Sequence, residues 1–203
     1  PRDAAVWTAL GSLWSAMGQC EQALRSHRRA LELDPLRLAH RLAYARSLAD
    51  ACWLEEAGRV LEDCLAREPG RADLRHELAL LRLAQGRYRE AWPDFEARWQ
   101  CGAPCLPALA APRWSGERIG ARRVLLLEDG DCAATLWTLR YLPSLERRGA
   151  DLSLAVDARL HPLLQRPRVR LLAPEDPRVQ GECYNFHCPL QSLPGVVDPR
   201  GAS

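Results

Sequence analysis

Residues 7–35 read WTALGSLWSAMGQCEQALRSHRRALELDP, and this stretch decides the fold of the first half of the chain. It contains two segments of helical apolar periodicity, joined by a turn at Gly18 and ended by Pro35. The pattern returns 34 residues later, where Pro69 ends a similar helix. Other positions keep the same step: Ala23, Ala57 and Ala91; Leu10, Tyr44 and Leu78; Gly11, Ala45 and Ala79. Small residues at a fixed period indicate repeated pairs of closely approaching helices.

The first unit resembles the tetratricopeptide pattern. The matching positions are Trp7, Leu10, Gly11, Trp14, Gly18, Ala23, Ala30 and Pro35. Residues 1–100 are therefore similar to three tetratricopeptide repeats, with boundaries at about 3–36, 37–70 and 71–100. Three such units are about the minimum for a stable stack, because each buries its apolar face only against its neighbours.

This resemblance implies a concave groove that holds a protein or peptide partner. The first helix of each repeat would supply its lining, at Thr8, Ser12, Ala39, Leu42, Arg46, Asp73, His76 and Leu80. Arg46 is the obvious anchor for an anionic group. The Lys and Asn pairs that clamp peptide carboxylates in some family members are absent, so a chaperone-tail adaptor is not expected. Plain solvated surface is the alternative for these positions.

After residue 100 the composition changes. Residues 101–122 are rich in Gly and Pro and predict a linker. The apolar run Val124 to Leu127 then predicts a strand that is buried on both faces. Further predicted elements are a helix over 133–148, strands over 152–156 and 169–172, a short helix over 159–165 and a strand at 184–186.

This alternation of strands and helices is typical of a parallel sheet. The predicted fold class is therefore mixed and multidomain. An all-α repeat array precedes an α/β Rossmann-like partial domain over 123–203, which has a mostly parallel sheet.

A second resemblance rests on six runs of sequence, in chain order AWPDFEARW (91–99), WSGE (114–117), RVLLLE (123–128), LRYLPSL (139–145), RGA (148–150) and FHCPLQSLP (186–194). Together they resemble a bacterial family in which tetratricopeptide repeats precede a heptosyltransferase-like glycosyltransferase module of the GT-B fold. The resemblance implies that 123–203 corresponds to part of the N-terminal half of that module. The donor-binding half is absent from the sequence, so we expect no sugar transfer and no nucleotide-sugar binding by this chain alone.

The turn after the first strand is degenerate. The family has Gly-x-Gly-Asp-Thr there, whereas this chain has EDGDC over 128–132. Asp131 is a candidate substitute for the acid that would act as general base on an acceptor hydroxyl. His187 is the second catalytic candidate, because its segment lines the cleft in related proteins. The alternatives are a solvated acidic loop and a histidine that hydrogen-bonds backbone at a strand end.

Cysteine spacing leaves one metal site to consider. Cys101 and Cys105 could join Cys183, Cys188 and His187 around zinc. Neither spacing is the two-residue knuckle of strong zinc motifs, so small buried hydrophobes in a reduced cytoplasmic protein are the alternative. No cofactor is predicted. A thiol-rich metal or redox partner protein is the third functional hypothesis.

Composition excludes two partner classes. The net charge of +2 creates no strong field for nucleic acid, and no apolar run reaches the length of a membrane span. Pro1 is not a natural start, so we expect a native N-terminal segment ahead of it. The predicted function is a protein- or peptide-binding scaffold with a non-catalytic glycosyltransferase-like half-domain. The alternative is the acceptor-binding portion of a longer protein glycosyltransferase.

Overall fold

A computed structural model describes residues 3–102 and 106–200. The chain divides into two compact units between Cys101 and Gly102. The first unit is an all-α array of helix pairs. Its helices are α1 (Ala4–Ala16), α2 (Cys20–Leu33), α3 (Leu38–Asp50), α4 (Leu54–Arg67), α5 (Ala72–Ala84) and α6 (Tyr88–Phe95), followed by a 3₁₀ helix at Glu96–Gln100.

Each helix pair turns at a residue in the left-handed region. Gly18 has φ of 71° and Gly86 has φ of 75°, and Cys52 occupies the equivalent position of the second pair with φ of 62°. Glycine adopts this conformation without a steric cost, whereas a residue with a Cβ does not. The turn explains why the first and third pairs carry glycine at a 68-residue separation.

The 34-residue period of small residues corresponds to the closest helix contacts. Ala23, Ala57 and Ala91 are all fully buried, at 0% exposure. The fit at Gly11 is tight, since an added Cβ would lie 2.4 Å from Nε2 of His27. Larger apolar residues, including Leu48, Leu61, Leu74, Leu78 and Leu81, fill the space between repeats two and three.

The second unit is an α/β layer built on four parallel strands. Its elements are β1 (Arg123–Leu127), α7 (Cys132–Thr138), α8 (Leu142–Arg147), β2 (Asp151–Ala155), β3 (Val169–Leu172), α9 (Arg178–Gly181), β4 (Phe186–Pro189) and α10 (Leu193–Val197). The strand order is β3-β2-β1-β4, and β1 pairs with β2 and β4 in parallel register. The predicted parallel Rossmann-like sheet is confirmed.

The sheet is covered on both faces. Val124 and Leu126 of β1 belong to one apolar cluster, and Leu125 and Leu127 belong to another. This alternation is the reason for the continuous apolar run in β1. Trp114 is 1% exposed and lies in the larger cluster, so part of the segment predicted as a linker contributes to the core of this unit.

Three local predictions were wrong in detail. The single helix predicted over 133–148 is interrupted by a 3₁₀ turn at Leu139–Tyr141. Pro143 is the reason, because proline lacks an N–H and fits only the first turn of the helix that restarts at Leu142. The short helix over 159–165 is a 3₁₀ helix at Ala158–Leu163 that contains Pro162. The last strand begins at Phe186 rather than at residue 184.

Across 3–102 and 106–200, no helix combines the length and the apolar character that crossing a bilayer requires.

Candidate functional site

The strand order places a topological switch point at the carboxyl ends of β1 and β4. In parallel α/β sheets, ligands bind where neighbouring strands have connections on opposite sides, and here that point lies between β1 and β4. The loop after β1 contains Asp129, which is 5% exposed. Gln191 follows β4, and its backbone N–H donates to Oδ1 of Asp129 at 2.9 Å. Its side-chain Nε2 also donates to the Asp129 carbonyl at 3.0 Å.

Gln191 thereby occupies the space in front of the turn. A Cβ added at Gly130 would lie 1.8 Å from the Gln191 Nε2. A residue larger than glycine at position 130 would therefore clash with the Gln191 side chain.

Glu128 also has internal partners. Its Oε1 accepts a hydrogen bond from the Thr135 hydroxyl at 2.8 Å, and its Oε2 accepts from the Asp157 N–H at 2.8 Å. Glu128 therefore ties the end of β1 to α7 and to the loop after β2. Both of its carboxylate oxygens are used in this connection.

The two catalytic candidates from the sequence both make backbone contacts. Asp131 is exposed and caps α7, since its Oδ1 accepts from the Ala134 N–H at 2.7 Å. His187 lies in β4 and is half-buried. Its Nδ1 lies 2.8 Å from the Ala111 carbonyl, which makes Nδ1 the protonated nitrogen because a carbonyl only accepts.

The backbone of His187 is fixed as well. Its N–H donates to the Pro112 carbonyl at 3.0 Å, and its carbonyl accepts from the Trp114 N–H at 2.8 Å. These contacts attach residues 111–114 to β4. In this arrangement His187 satisfies backbone groups, which is the alternative that the sequence left open.

Two further carboxylates lie after strands of this sheet. Arg159, which follows Asp157 by two residues, holds the pKa of that carboxyl down at about 2 through hydrogen bonds from its side chain and backbone N–H. Arg178 lowers the pKa of Asp176 to about 2 in the same way. Both carboxylates are therefore ionised and paired at neutral pH.

The cysteines predicted as metal ligands differ in burial. Cys188 is buried, whereas Cys101 and Cys183 are exposed. Cys105 lies outside the described residues. Within the part of the chain that the structure describes, no group of three or more His, Cys, Asp or Glu side chains is placed to hold a metal ion.

The repeat array places the predicted groove residues in three different settings. Thr8 points at the next repeat, where its hydroxyl lies 2.7 Å from Nδ1 of His40. Ser12 bonds its own helix through the Thr8 carbonyl at 3.1 Å. Asp73 pairs with Arg71 at the start of α5, at 2.8 and 2.6 Å, and this partner lowers the Asp73 pKa.

His76 is half-buried beside Phe95, with ring centroids 5.5 Å apart. Burial lowers the pKa of His76 below its ordinary value, so the ring is neutral at neutral pH. Leu42 is half-buried and packs against the apolar cluster between repeats two and three. Ala39 is exposed.

Arg46 and Leu80 come together at a cavity of about 230 Å³ between α3 and α5. Leu80 is 44% exposed. Arg46 forms an ion pair with Glu77 across the two helices, with Nε 3.1 Å from Oε1. The other lining residues are mostly apolar: Ala45, Ala49, Asp50, Leu54, Leu61, Leu81 and Ala84.

Sequence reasoning missed Glu77 and Asp50, the two acidic residues at this cavity. Glu77 could have been found from the period. It lies 31 residues after Arg46, which is one repeat less one helical turn. That spacing brings two side chains together on neighbouring first helices.

Comparison with known proteins agrees with the helical half of this description. Residues 1–108 match the family model of the tetratricopeptide domain of cytochrome c-type biogenesis protein H. The chain belongs to this tetratricopeptide family. Its three helix pairs are therefore tetratricopeptide repeats, and the array is of a type that suggests a protein-interaction scaffold.

Two other proteins share similarity along most of the chain. Protein FlbA of Caulobacter vibrioides is 29% identical over 199 residues, which cover 91% of this chain and 33% of FlbA. The chain thus spans a third of the length of that relative. A mutant of the Thermobaculum terrenum O-GlcNAc transferase has a similar structure at 19% identity and a TM-score of 0.46, over 86% of this chain and 35% of the transferase.

Proposed function

We propose that the chain is a protein-binding scaffold, and that the groove between α3 and α5 holds an extended segment of a partner protein. The observation that carries the proposal is the cavity at Arg46, Glu77 and Leu80, which combines an apolar lining with charged groups at its edge. Binding pockets typically combine an apolar lining with a few polar groups that fix the orientation of the ligand.

Charged residues of a partner can replace either member of the Arg46–Glu77 ion pair at this cavity. Arg46 is 62% exposed in its side chain and Glu77 is 27% exposed. Exposed ion pairs contribute little to stability, so a partner can replace either member at a small cost. Asp50 and Glu77 favour a partner with a basic residue next to an aliphatic one, and the cavity volume of about 230 Å³ suits one such aliphatic side chain.

The proposal also makes the α/β unit a non-catalytic half-domain of the heptosyltransferase-like type. Gln191 fills the position in front of the β1 turn, Glu128 uses both of its carboxylate oxygens in internal hydrogen bonds, and Asp131 uses Oδ1 to cap α7. A general base needs a lone pair directed at its substrate. The internal hydrogen bonds of these residues support a structural role for them. The proposal also includes a cytoplasmic location, which we infer from the cysteines.

The groove is tested by crosslinking followed by titration. A photo-reactive amino acid in place of Leu80 should form an adduct with one partner in native cells, and the purified partner is then titrated with the whole chain. We expect Glu77→Arg and Leu80→Asp to weaken binding at least tenfold, because the first variant repels a basic partner residue and the second adds a charge to the apolar lining. Glu21→Arg is the matched control, because Glu21 is 84% exposed on α2, and it should change binding less than twofold. Equal effects at all three positions would exclude the groove.

The non-catalytic half-domain is tested by calorimetry with UDP-, GDP- and ADP-linked sugars. We expect no binding at millimolar concentrations of any of them. Micromolar binding of one nucleotide sugar would overturn this part of the proposal and leave the groove untouched.

A second candidate function is the acceptor-binding portion of a protein glycosyltransferase. It is favoured by the parallel sheet order, which has a switch point between β1 and β4. This function predicts that the natural protein transfers sugar and that Asp131→Ala or His187→Ala abolishes the transfer. Full activity in both variants would remove those two residues from the mechanism.

A further inference from the structure

Helix α1 exposes an apolar face. Val6 is 46% exposed, Leu13 is 63% exposed and Met17, which caps the helix, is 66% exposed. Their spacings of seven and four residues place them along one side of the helix. We call these three residues the outer α1 face. Three large apolar side chains on one side of one helix form a continuous surface that water covers unfavourably.

The equivalent faces of the other two repeats are covered. The residues 34 positions later are His40 and Ser47, at 3% and 1% exposure. The residues 68 positions after Val6 and Leu13 are Leu74 and Leu81, at 0% and 6% exposure. The same face of the first helix is therefore buried in repeats two and three, and it is exposed only in repeat one among the described repeats.

The covering residues come from the preceding repeat in both cases, chiefly from its second helix, although His40 also contacts Thr8 of the first helix α1. His27 of α2 contacts Ser47 of α3, with Nδ1 2.6 Å from the hydroxyl oxygen. Leu61 of α4 belongs to one apolar cluster with Leu74 and Leu81 of α5. The position equivalent to Met17 follows the same rule, since Nε2 of Gln85 donates to the Leu54 carbonyl of α4 at 3.1 Å.

We propose that the outer α1 face is the docking surface for the second helix of a further repeat, located ahead of residue 1 in the natural polypeptide. The inference comes from the equivalence of this face to two inter-repeat interfaces, which it would continue. Its chemistry also defines the occupant. Val6 and Leu13 resemble the apolar pair Leu74 and Leu81 rather than His40 and Ser47. The helix that covers them is therefore of the α4 type, with small residues such as Ala57 and an aliphatic one such as Leu61.

Helix α4 of a second copy of this chain is not available to cover the outer α1 face. The face of α4 that would fit is already covered by α5 in the same chain. A copy could present its own outer α1 face, but three partly exposed side chains are far from the roughly 800 Å² per partner of a stable interface. A repeat in the same polypeptide needs no such area, because the connection supplies a high effective concentration.

Hydrogen exchange on the natural protein and on the 203-residue chain tests this proposal. We expect the α1 amides to exchange at least tenfold more slowly in the natural protein. Leu13→Glu in the natural protein should remove this difference. The variant should leave the helical content of the 203-residue chain unchanged, because Leu13 faces water there. Ala5→Glu adds the same charge about 100° away on α1, and it should preserve the slow exchange.

Two results would overturn the proposal. Equal exchange of α1 in the two proteins, with no effect of Leu13→Glu, would show that the face is bare in the natural protein. Protection of α1 that rises with the concentration of the 203-residue chain would assign the face to a second copy.

Discussion

At the residue scale, Cys52 is a conformational exception within a regular pattern. It has φ of 62° where the other two repeats have Gly18 and Gly86. The left-handed conformation costs a residue with a Cβ about 1–2 kcal/mol. Glycine removes this strain, but part of the gain is lost because glycine has more conformational freedom in the unfolded chain. We predict that Cys52→Gly raises the free energy of unfolding by about 0.5–1 kcal/mol, measured by urea denaturation.

The matched controls for this prediction are Gly18→Ala and Gly86→Ala. A Cβ at either position meets no atom within 4 Å, so any loss of stability is conformational. Both should lower the free energy of unfolding by about 1 kcal/mol. A destabilising Cys52→Gly would mean that the cysteine side chain makes a contact that outweighs the backbone strain.

Gly130 and Gln191 form the second informative pair of residues. We predict that Gly130→Ala costs about 1–3 kcal/mol of stability, because the new Cβ displaces the glutamine amide and its hydrogen bond to Asp129. In a Gln191→Ala background the same change should cost far less, and a double-mutant cycle measures the coupling. Gly181→Ala, where a Cβ meets nothing within 4 Å, is the control. Additive effects of the two substitutions would refute the proposed contact.

At the scale of elements, the two inter-repeat interfaces differ in chemistry at equivalent positions. His27 and Ser47 hydrogen-bond between α2 and α3, where Leu61 and Leu81 pack between α4 and α5. Both pairs are buried, since His27 and Ser47 are 2% and 1% exposed, and Leu61 and Leu81 are 4% and 6% exposed. The first interface depends on a neutral imidazole, whereas the second contains no titratable group at this point.

This difference predicts a pH dependence for the first interface. Burial lowers the pKa of His27 from its ordinary 6.5, against opposing effects of the Thr8 carbonyl and Asp50, and the neighbouring His40 lowers it further. A lowered histidine pKa means that the unfolded chain binds more protons below pH 6.5. Stability is therefore complete above that pH and falls as pH drops through 6.5 toward the folded-state pKa. One such group changes stability by at most about 1.4 kcal/mol per pH unit.

The variant His27→Leu with Ser47→Leu copies the apolar pair of the next interface. We predict that its free energy of unfolding falls less between pH 7 and pH 5 than that of the parent chain. The single variant Ser47→Ala should keep the steep pH dependence, because His27 remains buried. Equal slopes in the parent and the double variant would show that His27 is not the group that titrates.

At the scale of the whole molecule, the sequence predicted what depends on period and missed what depends on close contact. The 34-residue step of Ala23, Ala57 and Ala91 reflects a close helix contact that recurs in every repeat, so it can be recognised from the sequence alone. The strand β1 could also be predicted from its apolar run, because both of its faces are buried.

The contact between Gln191 and Gly130 joins residues 61 positions apart and leaves no periodic trace. The break of the predicted 133–148 helix came from a single Pro143, whose effect depends on where the helix begins. The groove residues were predicted from one resemblance to the family. That resemblance does not distinguish Thr8, which faces His40, from Arg46, which lines the cavity.

Carboxyls with lowered pKa values occur in both units, at Asp73 in the repeat array and at Asp157 and Asp176 in the α/β unit, but the buried histidines with lowered pKa values do not. The histidines whose pKa burial lowers, His27 and His76, are both in the repeat array. The carboxyls whose pKa falls from 3.8 to about 2, Asp157 and Asp176, are both in the α/β unit. A lowered carboxyl pKa gives stability that is present above pH 3.8 and lost as pH falls toward 2.

Acidification should therefore weaken the repeat array before the α/β unit. We predict that amides of α2 and α3 lose hydrogen-exchange protection between pH 6.5 and 5, after correction for the intrinsic pH dependence of exchange. Amides of β1 and β2 should keep their protection to below pH 4. The His27→Leu, Ser47→Leu variant should shift the first loss to lower pH and leave the second unchanged. Loss of protection in β1 at the same pH as in α2 would mean that the two units respond as one, and that the histidines do not determine the order.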